Sequence, residues 1–207
     1  YINFKTYEQG TGEQAIRMAE MIYRVRLASG IMVVPVVQAL DLYRVSGVEW
    51  DWSWCEHVDP VSYGANSGWL LPEGIKKNGG NGVMLNHAER KIRNRKFDLR
   101  MKNDGDSELL KLTVERCRAV GLSVGICADS LEEVEAIVPL QPDWIAYEPP
   151  ELIGSKELSV STAKPDVVAK AVEMAGNVKM LIGAGIKTAE DIRIGLRLGA
   201  VGFLIAS

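Results

Sequence analysis

The stretch Trp144-Ile145-Ala146-Tyr147-Glu148-Pro149-Pro150-Glu151-Leu152-Ile153-Gly154-Ser155-Lys156 starts apolar, delivers a carboxylate at Glu148, and then breaks into a loop hinged on a glycine. An apolar run this short reads as a strand buried on both faces, the form taken by parallel strands covered by helices. Pro149 and Pro150 stiffen the exit, whereas Ile153-Gly154 lets the loop tip fold over a ligand. The fold depends on whether such runs recur with helices between them.

They do. Downstream, the pattern predicts a helix over 164–175, a strand over 179–182 that opens into Gly183-Ala184-Gly185, a helix N-capped by Thr188 that stops before Gly199, and a strand over 201–205. Upstream lie a strand over 122–127 and a helix over 131–138, preceded by a helix over 108–119 with Gly121 as its C-cap. Earlier still come a strand over 82–86, a short helix over 72–77 and an irregular third region over 48–58 that packs three tryptophans among acidic residues. The remaining runs are 31–37 and 1–5, separated by a helix over 13–27 whose Ile16, Ala19, Ile22, Tyr23 and Val25 approximate one apolar face, started by Thr11 or Gly12.

Eight strand-helix units in 207 residues, with polar and glycine-rich residues gathered after the strands, favour a single (β/α)8 barrel domain over an open doubly wound sheet. No Gly-x-Gly-x-x-Gly follows the first run, which weakens dinucleotide binding further. The charged residues from about 92 to 107 read as a solvated insertion. The chain begins as if inside a strand and ends as one finishes. A barrel without its eighth helix exposes apolar surface, so the start of the first strand and an eighth helix are expected beyond the given ends.

With 47% hydrophobic and 25% charged residues, the composition is that of a globular protein. A net charge of −3 and the absence of a basic stripe argue against nucleic acid or anionic lipid as partners. An acidic ligand therefore needs a local site. Cys55, Cys117 and Cys127 are too few and too scattered for a disulfide framework, and no pair has metal-ligand spacing. No run is long enough for a spanning helix, and a reducing cytoplasm is the simplest expectation.

In such a barrel the chemistry belongs to the loops after the strands. Asn3 and Lys5 share one face of the first run, and lysine suits an anionic ligand, although an exposed strand-end lysine is the plainer alternative. His87 ends the fourth strand beside a helix start, which disfavours imidazolium; a hydrogen-bonded core histidine is an equal alternative. For His57, before the long loop 59–68, the structural role is favoured. Glu148 faces the same rim, where partial desolvation raises its pKa and suits a general base, against the alternative of an ordinary strand-end glutamate. Gly183-Ala184-Gly185 and Ala206-Ser207 offer amide N–H groups for a phosphate, although Gly-Ala-Gly also serves as a plain turn.

Taken in order and spacing, Asn3-Phe4-Lys5, Asn86-His87-Ala88-Glu89-Arg90, Tyr147-Glu148-Pro149-Pro150-Glu151-Leu152-Ile153-Gly154 and Gly183-Ala184-Gly185-Ile186 closely resemble the triosephosphate isomerases, and their short archaeal branch most. The resemblance spans the chain, including Gln38-Ala39-Leu40-Asp41 and His57-Val58-Asp59-Pro60. It implies interconversion of dihydroxyacetone phosphate and glyceraldehyde 3-phosphate without metal or organic cofactor. By the same resemblance Glu148 shuttles the proton, neutral His87 polarises the carbonyl, and Lys5 with Asn3 stabilises the enediolate. Glu89 becomes a supporting carboxylate near Lys5, and the amides of Gly154, Gly185 and Ser207, with Ala206 beside them, hold the phosphate. The loop carrying Ser67 is implied to dock into a second copy, as a homodimer or homotetramer.

Two departures stand out. Ala88 replaces the serine usual after the family's histidine, and 92–107 is longer than in short relatives. They keep a catalytically silent phosphate-binding paralogue open as an alternative. Another phosphate-binding barrel enzyme, such as a thiazole-phosphate or prenylglyceryl-phosphate synthase, shares Gly183 to Gly185 but leaves Glu148-Pro149-Pro150 and Asn86-His87 unexplained.

Overall fold

The computed structural model describes residues 1–48, 52–92, 106–155 and 158–206. Eight parallel strands follow one another around a single sheet in chain order: β1 (Ile2–Asn3), β2 (Pro35–Val37), β3 (Trp54–Cys55), β4 (Gly82–Leu85), β5 (Ser123–Ala128), β6 (Trp144–Tyr147), β7 (Lys179–Ile182) and β8 (Gly202–Phe203). A parallel bridge between Ile2 and Ile205 joins the last strand to the first. The Asn3 amide donates to the Ile205 carbonyl at 2.7 Å, and the Ile205 amide to that of Tyr1 at 2.9 Å. The barrel is closed.

The period-two alternation of each strand sorts the core into two bodies. Val34, Val36, Trp54, Met84, Cys127, Trp144, Ala146, Leu181 and Leu204 form one cluster inside the ring. Their chain neighbours Val37, Cys55, Val83, Leu85, Ile126, Ile145, Tyr147 and Ile182 pack in a second cluster with the helices. The inner end away from the loops is filled by rings. Trp54 stacks on Trp144 with centroids 5.4 Å apart, and Tyr1 lies 5.0 and 4.8 Å from them. Gly82 and Gly125 make room for these indoles, because a Cβ on either would sit 2.3 Å from Trp54 or 2.0 Å from Trp144.

The helices are α1 (Glu13–Ser29), α2 (Ala39–Ser46), α3 (Pro72–Lys77), α4 (Asp106–Ala119), α5 (Leu131–Ile137), α6 (Val160–Ala163), α7 (Pro165–Ala175) and α8 (Ala189–Arg197). Helix α1 runs further than the sequence pattern predicts and stops at Gly30, which adopts a left-handed φ of 69°. That cap leaves Ile31 and Met32 exposed, so β2 is shorter than the run 31–37. Helix α2 is unanticipated. It buries Leu42 and Val45, and Asp41 accepts from the Gly12 amide that opens α1. Helix α6 adds a turn after the loop that follows β6, N-capped by Ser159. Thr188 and Asp191 form the capping box of α8, with Thr188 at the position expected of it. Helix α4 starts two residues before the predicted 108, and the rest of the charged stretch, 93–105, lies outside the described residues.

Candidate active site

Strand parity carries Trp144 and Ala146 inward along β6, and the next residue on that face is Glu148, at the rim. The Glu148 amide still donates to the Ala128 carbonyl at 2.9 Å, so the carboxylate stands on a paired backbone rather than on the loop. It is 7% exposed. Gly183 lies hard against it, since a Cβ at that position would meet Oε1 at 2.3 Å. Oε2 has no hydrogen-bond partner among the described residues. Burial pushes the Glu148 carboxyl up to about 7, against the opposing pull of the Cys127 thiol, the Lys5 ammonium and the Ala184 amide. A buried carboxylate tuned to neutrality and with a free oxygen is chemically a base.

A histidine faces that oxygen without bonding it. His87 Nε2 stands 3.5 Å from Glu148 Oε2. The ring caps a turn of 3₁₀ helix, Ala88–Arg90, by accepting the Glu89 amide on Nδ1 at 3.3 Å. With Nδ1 occupied as an acceptor, the proton of the neutral ring is on Nε2, pointing at the glutamate. Burial lowers the imidazole to about 4; Glu89 works against this, and Lys5 and Lys91 reinforce it. The main cause is therefore desolvation rather than the helix start expected from the sequence.

Lys5 lies at the end of β1 with a left-handed φ of 51°, a conformation that costs a lysine free energy unless it is held. The Asn3 side chain holds it by accepting the Lys5 amide at 3.1 Å. Asn3 thus spends its oxygen on the backbone of Lys5. The Lys5 ammonium donates to Glu89 Oε1 at 2.7 Å, and its side chain is 11% exposed. Contacts of 2.7 to 3.7 Å thus link Lys5, Glu89, His87 and Glu148, with Asn3 bonded to the Lys5 amide.

The glycine-rich loop after β7 meets the same carboxylate through Gly183. Ala184 and Gly185 both have φ of 70°, and a Cβ on Gly185 would strike the Leu158 carbonyl at 2.1 Å. The Val160 amide donates to the Ala184 carbonyl at 3.1 Å, Ser159 Oγ donates to Asp191 Oδ1 at 2.6 Å, and the Lys187 ammonium donates to the Ser155 carbonyl. The C-terminal root of the loop after β6 is therefore tied to the loop after β7. Gly154, with φ of 72°, lies on the exposed part of the former, and Ala206 is half-buried past β8. Ser207 lies outside the described residues. Ser67 is exposed in its long loop. His57 Nε2 bonds Asp59 at 3.2 Å while Asp59 accepts the Leu70 amide, which fits the structural role expected of this histidine.

Two supporting residues were given no role by the sequence. Asn86, buried and with φ of 61°, donates to the Cys127 carbonyl at 3.0 Å and accepts the Ile92 amide at 3.1 Å, bracketing the turn that carries His87. Lys91 reaches Asp129 at 2.9 Å and Glu133 at 2.5 Å, fastening the same turn to the end of β5. Asparagine's tolerance of left-handed backbone was the one available signal. Among the described residues no cluster of three His, Cys, Asp or Glu could hold a metal ion, and no helix is long and apolar enough to cross a membrane.

Comparison with known proteins agrees along the whole chain. The family model for triosephosphate isomerase matches residues 1–207. The triosephosphate isomerase of Sulfurisphaera tokodaii is 37% identical over 209 residues, covering 100% of this chain and 85% of its own. That of Methanobacterium bryantii is 34% identical over 210 residues, covering 100% and 87%. In fold, the crystal structure of the Bartonella henselae enzyme superposes with a TM-score of 0.67 at 19% identity, covering 100% of this chain and 90% of that one. A closed parallel barrel with a glutamate and a neutral histidine facing each other at its rim, matched over its full length at this identity, belongs to the triosephosphate isomerase family.

Proposed function

We propose that this isomerase interconverts dihydroxyacetone phosphate and D-glyceraldehyde 3-phosphate with Glu148 as the proton carrier. The observation that carries the reading is the 3.5 Å approach of His87 Nε2 to the unpartnered Oε2 of Glu148. A triose entering between them would place its carbonyl oxygen on the Nε2–H and its carbon-bound proton against the carboxylate. Glu148 removes the C1 proton, negative charge moves to the C2 oxygen, and the enediolate is held by neutral His87 and the Lys5 ammonium. Passage of the hydroxyl proton from the C1 oxygen to the C2 oxygen, by way of His87, and return of the carbon-bound proton from Glu148 to C2 complete the isomerisation with no net change in the protein. Neutral His87 suits this role because its Nε2–H can both donate to the developing oxyanion and pass a proton between the two substrate oxygens.

The amides of Gly154, Gly185 and Ser207, with Ala206, are assigned to the phosphate. Support comes from the left-handed backbone at Gly154 and Gly185 and from the ties between the two loops that carry them. Closure of Gly154 over the ligand would exclude water from the enediolate. Asn3 and Glu89 position Lys5. The 207 residues act as one barrel domain, as a homodimer or homotetramer joined through the loop bearing Ser67, in the cytoplasm and without nucleic acid or membrane as partner.

A coupled assay in both directions tests the reading. Glu148→Gln should lower kcat by roughly 10²- to 10⁴-fold, the usual worth of a positioned base. An unchanged rate would sink the assignment. The missing hydroxyl at Ala88 favours one competing reading, a barrel that binds phosphate ligands without turnover. It would be recognised by tight 2-phosphoglycolate binding in a protein with no isomerase activity.

A further inference from the structure

A second carboxylate at the mouth of the barrel has no part in the proton transfer. Glu56 follows β3, whose Trp54 points into the ring and whose Cys55 points out, so parity turns Glu56 back toward the mouth. Its backbone is still in the sheet, with the amide donating to the Val37 carbonyl at 3.0 Å. The side chain is mostly buried, and Oε1 is sealed from solvent with no hydrogen-bond partner. A carboxylate gains nothing from such a place, whereas a neutral carboxyl tolerates it.

The charged groups around it come from three other elements: Lys5 after β1, by amide and by ammonium, Glu89 from the turn after β4, and Asp41 from α2. Lys5 is shared. It touches Glu89 at 2.7 Å and acts on both Glu56 and Glu148. We propose that Glu56 is a positioning residue for the substrate dianion: neutral, it leaves the Lys5 field to the ligand, and ionised, it adds a further carboxylate against Lys5 and weakens binding without touching the chemical step. Burial, helped by Glu89 and Asp41 and opposed by Lys5, pushes the Glu56 carboxyl up to about 8. His87 near 4 and the Cys55 thiol near 12 titrate well outside that range, whereas Glu148 near 7 lies next to it, so the Glu56 variant must tell the two apart.

The inference rests on the isomerase reading of the site, and its test keeps the two apart. In the wild-type protein, KM should rise roughly tenfold above about pH 8, a coupling of ordinary size between two charged sites, on top of any change that Glu148 brings near 7, while kcat does not change above pH 8. The dissociation constant of 2-phosphoglycolate, read without turnover, should rise in step. Glu56→Gln, which keeps the shape of the neutral acid, should abolish both rises. Carbon-13 NMR of labelled glutamate in the wild-type protein gives the Glu56 titration directly and must share the midpoint of the binding loss, which keeps the test decisive should the variant fold poorly. The proposal is overturned if the glutamine variant shows the same rise, if wild-type affinity is level across the range, or if the change appears in kcat. Level 2-phosphoglycolate binding refutes the role of Glu56, whereas pH-dependent binding without isomerisation refutes the isomerase reading alone.

Discussion

Replacing Gly183 by alanine tests whether Glu148, the proposed base, is held in place by the loop after β7. The added Cβ would lie 2.3 Å from Glu148 Oε1 and 2.7 Å from its Cδ and Cγ, where contacts under 3.0 Å are essentially never found. Gly183 is not among the residues with left-handed φ, so alanine brings no backbone strain of its own and the collision is the whole perturbation. The carboxylate must retreat by roughly 0.7 Å or more, and displacements near 1 Å cost about 10²-fold in rate, equivalent to about 2.7 kcal/mol of barrier. The expected result is a kcat lower by roughly that factor, with 2-phosphoglycolate affinity and melting temperature close to wild type. Gly125→Ala is the matched control. Its Cβ would meet Trp144 at 2.0 Å inside the barrel, so it should lose about 1–3 kcal/mol of stability to overpacking while the folded fraction keeps its kcat. A Gly183→Ala enzyme within about twofold of the wild-type rate would refute the claim that Gly183 fixes the base.

The acid limb of the rate profile follows from the raised carboxyl of Glu148. The proposed base works only when deprotonated, so kcat/KM should fall about tenfold per pH unit below about 7, with no contribution from His87 until about pH 4. A midpoint near the ordinary glutamate value of 4.5 would refute the tuning. Asp191 should matter for stability rather than rate. Burial works against its charge, but bonds from Ser159, Thr188 and the Lys187 amide win and hold it at about 2. Its carboxylate therefore stabilises the fold above its unfolded value of 3.8, and that contribution is lost as pH falls through about 2. Asp191→Asn should lower stability at pH 7 by about 2 kcal/mol, a melting shift of roughly 4–8 °C, and the gap should narrow in acid. An unchanged melting temperature at neutral pH would count against the tie.

The parts of this architecture that sequence reading reaches are those encoded within a few residues. The run ending in Tyr147 is apolar at every position because both faces are covered, and parity alone puts Glu148 on the inner rim. The Thr188 cap needed only the four residues of its box. What escaped depends on distant contacts. Gly82 looks like an ordinary loop-to-strand glycine until Trp54, 28 positions earlier, is seen to occupy the space of its missing side chain. Glu56 lies in the irregular region of tryptophans and acidic residues, where no local pattern marks it, yet parity from Trp54 turns it inward. The exposure of Ile31 and Met32 was hidden because an apolar pair before a strand looks like more strand, and the left-handed cap at Gly30 removes them from the ladder. The turn carrying His87 was located, but Asn86 and Lys91 hold it through partners on β5 and α5 that local patterns do not register.

The ring cluster at the closed end of the barrel gives the protein an internal optical signal. Tyr1, Trp54 and Trp144 come from β3, β6 and the residue before β1, so they stay at 4.8–5.4 Å only while the ring of strands is intact. Immobilised aromatic groups in fixed mutual orientation dominate near-ultraviolet circular dichroism, and that signal vanishes when packing is lost even if helices persist. The near-ultraviolet band therefore reports closure of the barrel and the far-ultraviolet band reports its helical coat. A lag between the two on heating would mean that the strands part before the helices unwind.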